Sequence, residues 1–257
     1  MPGAPAQPAK TGGRGLPLSF ARGDTSKQRL KVDWLHPVPP ATQTVGTAAA
    51  GPLPLADALG VLWGDDDRPL LVLRECDLCR GTDDALFDRS MQNDRTMLMT
   101  KWFRVVRLPS NVGDPGHAFY NVFAGYAFEG PAPHFFLLAN PDARPVQFTG
   151  MQTQTSLWQG MDSVLQQRYG KDPRQAVKKW LALLDQFDRV DAAMKASQEQ
   201  LDEVRAGEGP QSSKAKRLQK RIAELTAERD ELVAAEAKVR DLHLLSTGKP
   251  TEAKASR

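Results

Sequence analysis

The chain has 257 residues, 40% of them hydrophobic, enough for a modest globular core with long appendages. Its 34 basic and 31 acidic residues leave a formal net charge of +3 spread along the chain, a weak bias rather than the concentrated footprint of a nucleic-acid binder. No stretch approaches the roughly 20 apolar residues that span a bilayer, and the start Met1-Pro2-Gly3-Ala4-Pro5 lacks the charged-then-apolar order of a signal peptide, so neither nucleic acid nor membrane is an expected partner and the cytoplasm is the expected location.

Residues 1–30 combine Pro2, Pro5, Pro8 and Pro17 with several glycines and little apolar material, the composition of a disordered tail. Residues 31–54, with Trp34, Leu35 and the run Pro37-Val38-Pro39-Pro40, read as an extended strap. Regular structure is expected from residue 55. Residues 55–59 form a short helix candidate, Gly64-Asp65-Asp66-Asp67 a solvated turn, and Leu70-Leu71-Val72-Leu73 a buried strand. The two cysteines of the chain follow at once, in Cys76-Asp77-Leu78-Cys79. Residues 82–99 read as helix with an interruption near Gln92-Asn93-Asp94, and residues 103–108 alternate as a second strand. Strand, helix, strand at this spacing predicts a parallel pair joined by a right-handed crossover.

Farther along, residues 117–128 read as a helix over the sheet, and Phe135-Phe136-Leu137-Leu138 as a third strand. The turn Asn140-Pro141-Asp142-Ala143-Arg144 then leads to Val146-Gln147-Phe148, a predicted hairpin. Residues 155–169 carry Leu157, Trp158, Met161, Val164 and Leu165 at helical spacing, a closing helix. Residues 174–205 and 212–243 are two charge-rich helical patterns separated by Ala206-Gly207-Glu208-Gly209-Pro210. Leu218, Leu225, Leu232 and Val239 recur every seven residues in the second, with Arg229 and Glu236 at other seam positions. Facing Val177, Trp180, Leu184, Phe187, Met194 and Leu201, this pattern predicts a helical hairpin or a coiled coil over 170–245, followed by a disordered tail over 246–257.

Two cysteines in so long a chain are no disulfide framework, and a bridge between Cys76 and Cys79 closes a loop too short to restrict the unfolded chain much. A redox switch is the better reading. At a strand-to-helix junction the first sulfur lies near helix N–H groups that favour thiolate. Cys76 would then attack a protein or small disulfide, and Cys79, about one turn later, would resolve the mixed disulfide. Arg74 and Arg80 favour the thiolate, whereas Glu75 and Asp77 oppose it.

Strand 70–73, the Cys76-Asp77-Leu78-Cys79 motif, a helix, strand 103–108 and Pro133 before strand 135–138 together resemble the thioredoxin superfamily, over roughly residues 55–169. The segment 88–108 is most similar to bacterial thioredoxin-like proteins of disulfide-reductase type. The resemblance implies an α/β fold, a thioredoxin-like central mixed sheet flanked by helices, and thiol–disulfide oxidoreductase activity without a cofactor. It also implies that Pro133, with Pro131 the lesser candidate, is a cis-proline holding substrate backbone. Three features depart from the family pattern. Glu75 replaces the usual tryptophan, strand 70–73 lacks the buried acid that assists proton transfer, and His134 follows the expected cis-proline where threonine is common.

Two other readings stand beside this one. In the first, a redox-silent thioredoxin-like domain binds a protein partner, or a second copy of itself, through the helices of 174–243. In the second, Cys76, Cys79, His134 and His117 form a Cys2His2 metal site. His36 and His243 are assigned no role, and Trp102, Trp158 and the aromatics of 119–128 are expected in the core.

Overall fold

A computed structural model describes residues 22–39, 51–75, 86–87, 93–126, 128, 132–148 and 152–246. Cys76 and Cys79 lie outside these residues, as do Pro131, the tail 1–21 and nearly all of the tail 246–257.

The fold is mixed α/β. Strands β1 (Leu70–Arg74), β2 (Arg104–Leu108), β3 (Phe135–Leu138) and β4 (Val146–Gln147) form one sheet in the order β2-β1-β3-β4. Central β1 pairs parallel with β2, Leu70 opposite Arg104 and Arg74 opposite Leu108. On its other side β1 pairs antiparallel with β3, and β3 pairs antiparallel with β4. The parallel pair and the hairpin expected from alternation and turn residues are thus both present. Leu35 of the expected strap adds an edge to β2: its N–H donates to the Val105 carbonyl at 2.9 Å, and its carbonyl accepts from Arg107 at 2.8 Å.

Alternation along the strands sends side chains to two cores. Leu70, Val72, Val106, Leu108, Phe136 and Leu138 face helix α2 (Leu55–Trp63), which turns Ala58, Leu59, Leu62 and Trp63 inward. Leu71, Leu73, Val105, Phe135 and Leu137 face the other way, under α3 (Asp94–Met99), α5 (Gln154–Arg168) and the first half of α6 (Pro173–Gly207). Helix α3 begins after Asn93; of the helix expected over 82–99, residues 82–85 and 88–92, and with them Gln92 of the expected interruption, lie outside the described residues. Over 117–128 the expected helix shrinks to α4 (Asn121–Ala124), preceded by turns closed at Asp114 and His117. Pro115 and Gly116 occupy the turn, and Gly125 ends the helix.

Local signals fix the later helices. Thr153 and Ser156 form a reciprocal capping box at the start of α5, Asp172 caps α6 just before Pro173, and Ser212 caps α7 (Ser213–Arg240). Helices α6 and α7 fold back on each other as an antiparallel hairpin within one chain, with Leu225 and Leu232 buried between them. The base of that hairpin is not a separate unit. Trp180, Leu184, Phe187 and Val190 are at most 1% exposed and lie in the same cluster as sheet residues Leu71 and Phe135. The Trp102 and Trp180 rings meet edge-on at 5.5 Å.

The expected tail over 1–30 is corrected in its last part. Residues Asp24–Arg29 form helix α1, which docks in the hairpin although its sequence, DTSKQR, has no apolar residue. Polar contacts hold it. Arg22 bridges Asp94 of α3 (2.8 Å) and Asp188 of α6 (2.9 Å), and Arg29 pairs with Glu236 at 2.7 Å while lying 3.9 Å from the centre of the Phe187 ring. Glu236 also accepts from Trp180 Nε1 at 3.2 Å, and Arg229 reaches Asp191 and Thr25. The polar seam positions of α7 are therefore where α1 sits. The turn at 64–67 is likewise more than solvated, because Asp66 is gripped by Arg68 at 2.6 Å and lies 3.7 Å from Arg104.

Candidate active site

The Cys76-Asp77-Leu78-Cys79 motif begins in sequence one residue beyond Glu75, after the carboxyl end of β1. Four buried residues, Leu70 to Leu73, anchor this strand, and the backbone ladder continues past it. The Arg74 N–H donates to the His134 carbonyl at 2.7 Å, and the Glu75 N–H donates to the Leu108 carbonyl at 2.8 Å. The chain therefore leaves the sheet held on both sides, between the end of β2 and the run-in to β3. In open sheets with crossovers this end of a central strand is the usual place for ligands and chemistry.

Side chains at this end are mostly charged. Arg74 turns to the α2 and α4 face: its Nη2 donates to the Ala132 carbonyl at 3.4 Å and its guanidinium lies 5.6 Å from the centre of the Phe123 ring. Arg74 Nε is buried and meets no acceptor, and Arg74 makes no ion pair among the described residues. Glu75, by contrast, is paired with Arg107 of β2 at 2.7 Å. Sequence reasoning named Arg74 and Glu75 but missed Arg107. The signal for it was register, which sets Arg107 opposite Leu73, two residues before Glu75 and on the same side of the strand.

Pro133 and His134 stand beside the exit of β1. Pro133 is buried, and His134 is partly exposed, its carbonyl continuing the ladder. The expected cis bond before Pro133 is corrected: the Ala132–Pro133 bond is trans, as is every peptide bond among the described residues. The chain runs into β3 extended enough for the carbonyls of both Ala132 and His134 to accept from Arg74. His117 lies on the turn before α4, where its Nδ1 accepts from the Phe119 N–H at 3.1 Å. The described residues contain no group of three or more His, Cys, Asp or Glu side chains placed to hold a metal ion.

The crossover returning to β2 is clamped at its far end. Asp94, at the start of α3, is buried, and that burial pushes its carboxyl up from the ordinary carboxylate range while Arg22 opposes the shift. Leu86 and Phe87 of the same crossover pack on the α3 face, Phe87 meeting Trp34 at 5.5 Å and Phe135 at 5.6 Å between ring centres. Trp34 of the strap and Phe87 of the crossover thus meet over one face of the sheet. Among the described residues no helix is long and apolar enough to cross a membrane. Comparison of the chain with protein-family models, with curated proteins and with solved structures gives no match.

Proposed function

We propose that the chain is a thioredoxin-like thiol–disulfide oxidoreductase with Cys76 as the attacking thiolate and Cys79 as the resolving thiol. One observation carries the reading: the Cys-x-x-Cys motif directly follows the carboxyl end of a central strand flanked by a parallel strand and an antiparallel hairpin. A mixed four-stranded sheet is compatible with the sheet that the resemblance implies, and the start of β3 at Pro133 and His134 adjoins the same strand end.

The chemistry balances without a cofactor. The Cys76 thiolate attacks one sulfur of a disulfide, a new S–S bond forms, and the departing thiolate takes a proton. Cys79, as thiolate, then attacks the Cys76 sulfur, releasing the second thiol and leaving a Cys76–Cys79 disulfide. Two electrons pass to the substrate, and an external dithiol restores the protein. Protein and small-molecule disulfides both fit this scheme, and cytosolic glutathione would keep the pair reduced.

Full-length protein supplied with dithiothreitol should reduce a model disulfide faster than dithiothreitol alone, and Cys76→Ser should abolish the gain. Equal rates for the parent and Cys76→Ser would remove the catalytic reading. A second reading, an interaction arm, draws on the distal hairpin, where Leu201, Val204 and Ala215 form a small cluster with Leu218 and Ile222, apart from both main cores. Deleting that arm should leave disulfide reduction intact while removing any partner or self-association bound there, which sedimentation of the two proteins would show.

A further inference from the structure

We propose that the cleft between the start of α2 and the β3–β4 turn binds a neutral small molecule, an apolar body carrying a carbonyl oxygen that accepts from the Tyr126 hydroxyl. The turn follows Leu138, which pairs with Leu70 at the start of β1, so it lies at the other end of the sheet from Arg74 and Glu75. The proposal is therefore independent of the dithiol reading.

The cleft measures about 440 Å³ and is lined by Leu55, Ala56 and Leu59 of α2, Tyr126 just past α4, and Pro141 and Pro145 of the turn. Small-molecule sites usually measure roughly 300–1,000 Å³ and are mostly apolar, with a few polar groups that fix orientation. The walls are set before anything binds. Pro54 stands at the cap of α2, and Leu55 lies 3.2 Å from where a β-carbon on Gly125 would stand. Asn140 holds the turn by accepting from the N–H groups of Asp142 at 3.0 Å and Ala143 at 3.1 Å. Preformed walls reduce the ordering cost of binding. The Tyr126 ring is fixed as well, meeting Phe136 at 5.9 Å and Phe128 at 5.7 Å between ring centres.

Its hydroxyl is buried and has no hydrogen-bond partner among the described residues. Such a group costs free energy, and an acceptor brought by a ligand offsets that cost. Burial also pushes the phenol pKa up to about 12, so the group is a neutral donor at any working pH. A carbonyl oxygen is its complement. The described lining carries one acid, Asp142, and one base, Arg144, both exposed on the same turn, so it selects neither anions nor cations. Volume, apolar walls, balanced rim charge and a buried donor together fit an uncharged carbonyl compound such as an aryl ketone.

The test compares benzophenone with diphenylmethane, two-ring compounds of similar shape of which the first carries the carbonyl oxygen, on the full chain. Under ultraviolet light the excited ketone oxygen takes a hydrogen from a neighbouring C–H bond and the two carbon radicals join, so mass spectrometry reads where the label sits. Labels within 55–59 or 141–145 are expected, and labels spread over the surface or concentrated elsewhere overturn the site. By equilibrium dialysis, Tyr126→Phe should weaken benzophenone about three- to tenfold and leave diphenylmethane unchanged. Without ligand the same variant should melt no lower than the parent, because it removes an unpaired hydroxyl; a clear loss of stability shows that the hydroxyl already has a partner and overturns the inference. Ala56→Trp, at an exposed position on the rim, should fill the cleft and abolish labelling while the melt is retained. No binding of benzophenone by the parent, or equal affinity in the parent and both variants, overturns the proposal.

Discussion

Cutting the chain after Tyr169 should destroy the fold, although residues 55–169 look self-sufficient in sequence. The cut removes Val177, Trp180, Leu184, Phe187 and Val190, all at most 3% exposed in the core beneath the sheet. Burying one such side chain stabilises by about 1.5–3 kcal/mol. Five of them represent roughly 7–15 kcal/mol, an upper figure because unfolded chains already bury some surface. That equals the whole net stability of a typical domain, about 5–15 kcal/mol. The cut also exposes Trp102, which loses both the Trp180 ring and the Arg240 carbonyl that accepts from its Nε1 at 2.8 Å. The assay is a thermal melt followed by near-ultraviolet circular dichroism and calorimetry, comparing residues 1–169 with the full chain. A control deleting residues 196–223 and rejoining the helices with a short glycine-serine turn removes only the distal cluster, so it should retain a cooperative melt. A 1–169 fragment that melts cooperatively near the full-length midpoint would refute the shared core.

Three further substitutions probe the packing. Arg29→Met leaves the buried Glu236 without its cation and should cost about 3 kcal/mol by urea titration, with part recovered in the double variant Arg29→Met, Glu236→Gln, whose amide oxygen still accepts from Trp180. Burial alone would raise the Asp66 carboxyl, but the hydrogen bonds from Arg68 overcome it and hold the group below its ordinary value. Its stabilisation is therefore present above the unfolded value and lost as pH falls through the folded one. Asp66→Asn should be less stable than the parent at neutral pH, and the gap should narrow below about pH 4 in urea midpoints taken across pH. Gly160→Ala places a methyl group 2.7 Å from the Phe148 ring, which itself lies 4.5 Å from the Phe135 ring, so it should lower stability by about 1–3 kcal/mol in a urea titration.

Much of the sheet was legible because its residues carry a local signal. Leu70-Leu71-Val72-Leu73 is an uninterrupted apolar run and is buried on both faces, and Asn140 to Arg144 is turn chemistry between two apolar segments. The heptads of 218–239 marked the buried face of α7 and left a hairpin or a coiled coil as its arrangement. Helix α1 gave no such signal, because charge pairs and the buried Ser26 hold it rather than an apolar stripe. Its trace in the sequence was indirect: Arg229 and Glu236 break the apolar seam of α7, and in the structure they meet both α6 and α1. At the strand end, the cysteine spacing and Arg74 were readable, whereas the Arg107 pairing with Glu75 depends on strand register. The shared core at Trp180 was hidden for a related reason. Periodicity tells which face of a helix is buried but not against what.

Equilibrating the full chain with glutathione buffers of graded potential, then trapping free thiols and weighing the protein, tests the dithiol directly. A single two-electron transition, with two thiols lost together and a Cys76–Cys79 bridge in the oxidised form, is expected, and Cys79→Ser should instead arrest as a glutathione adduct on Cys76. Thiols that stay reduced across the whole range, or an adduct that forms on Cys79 and spares Cys76, would contradict the assignment.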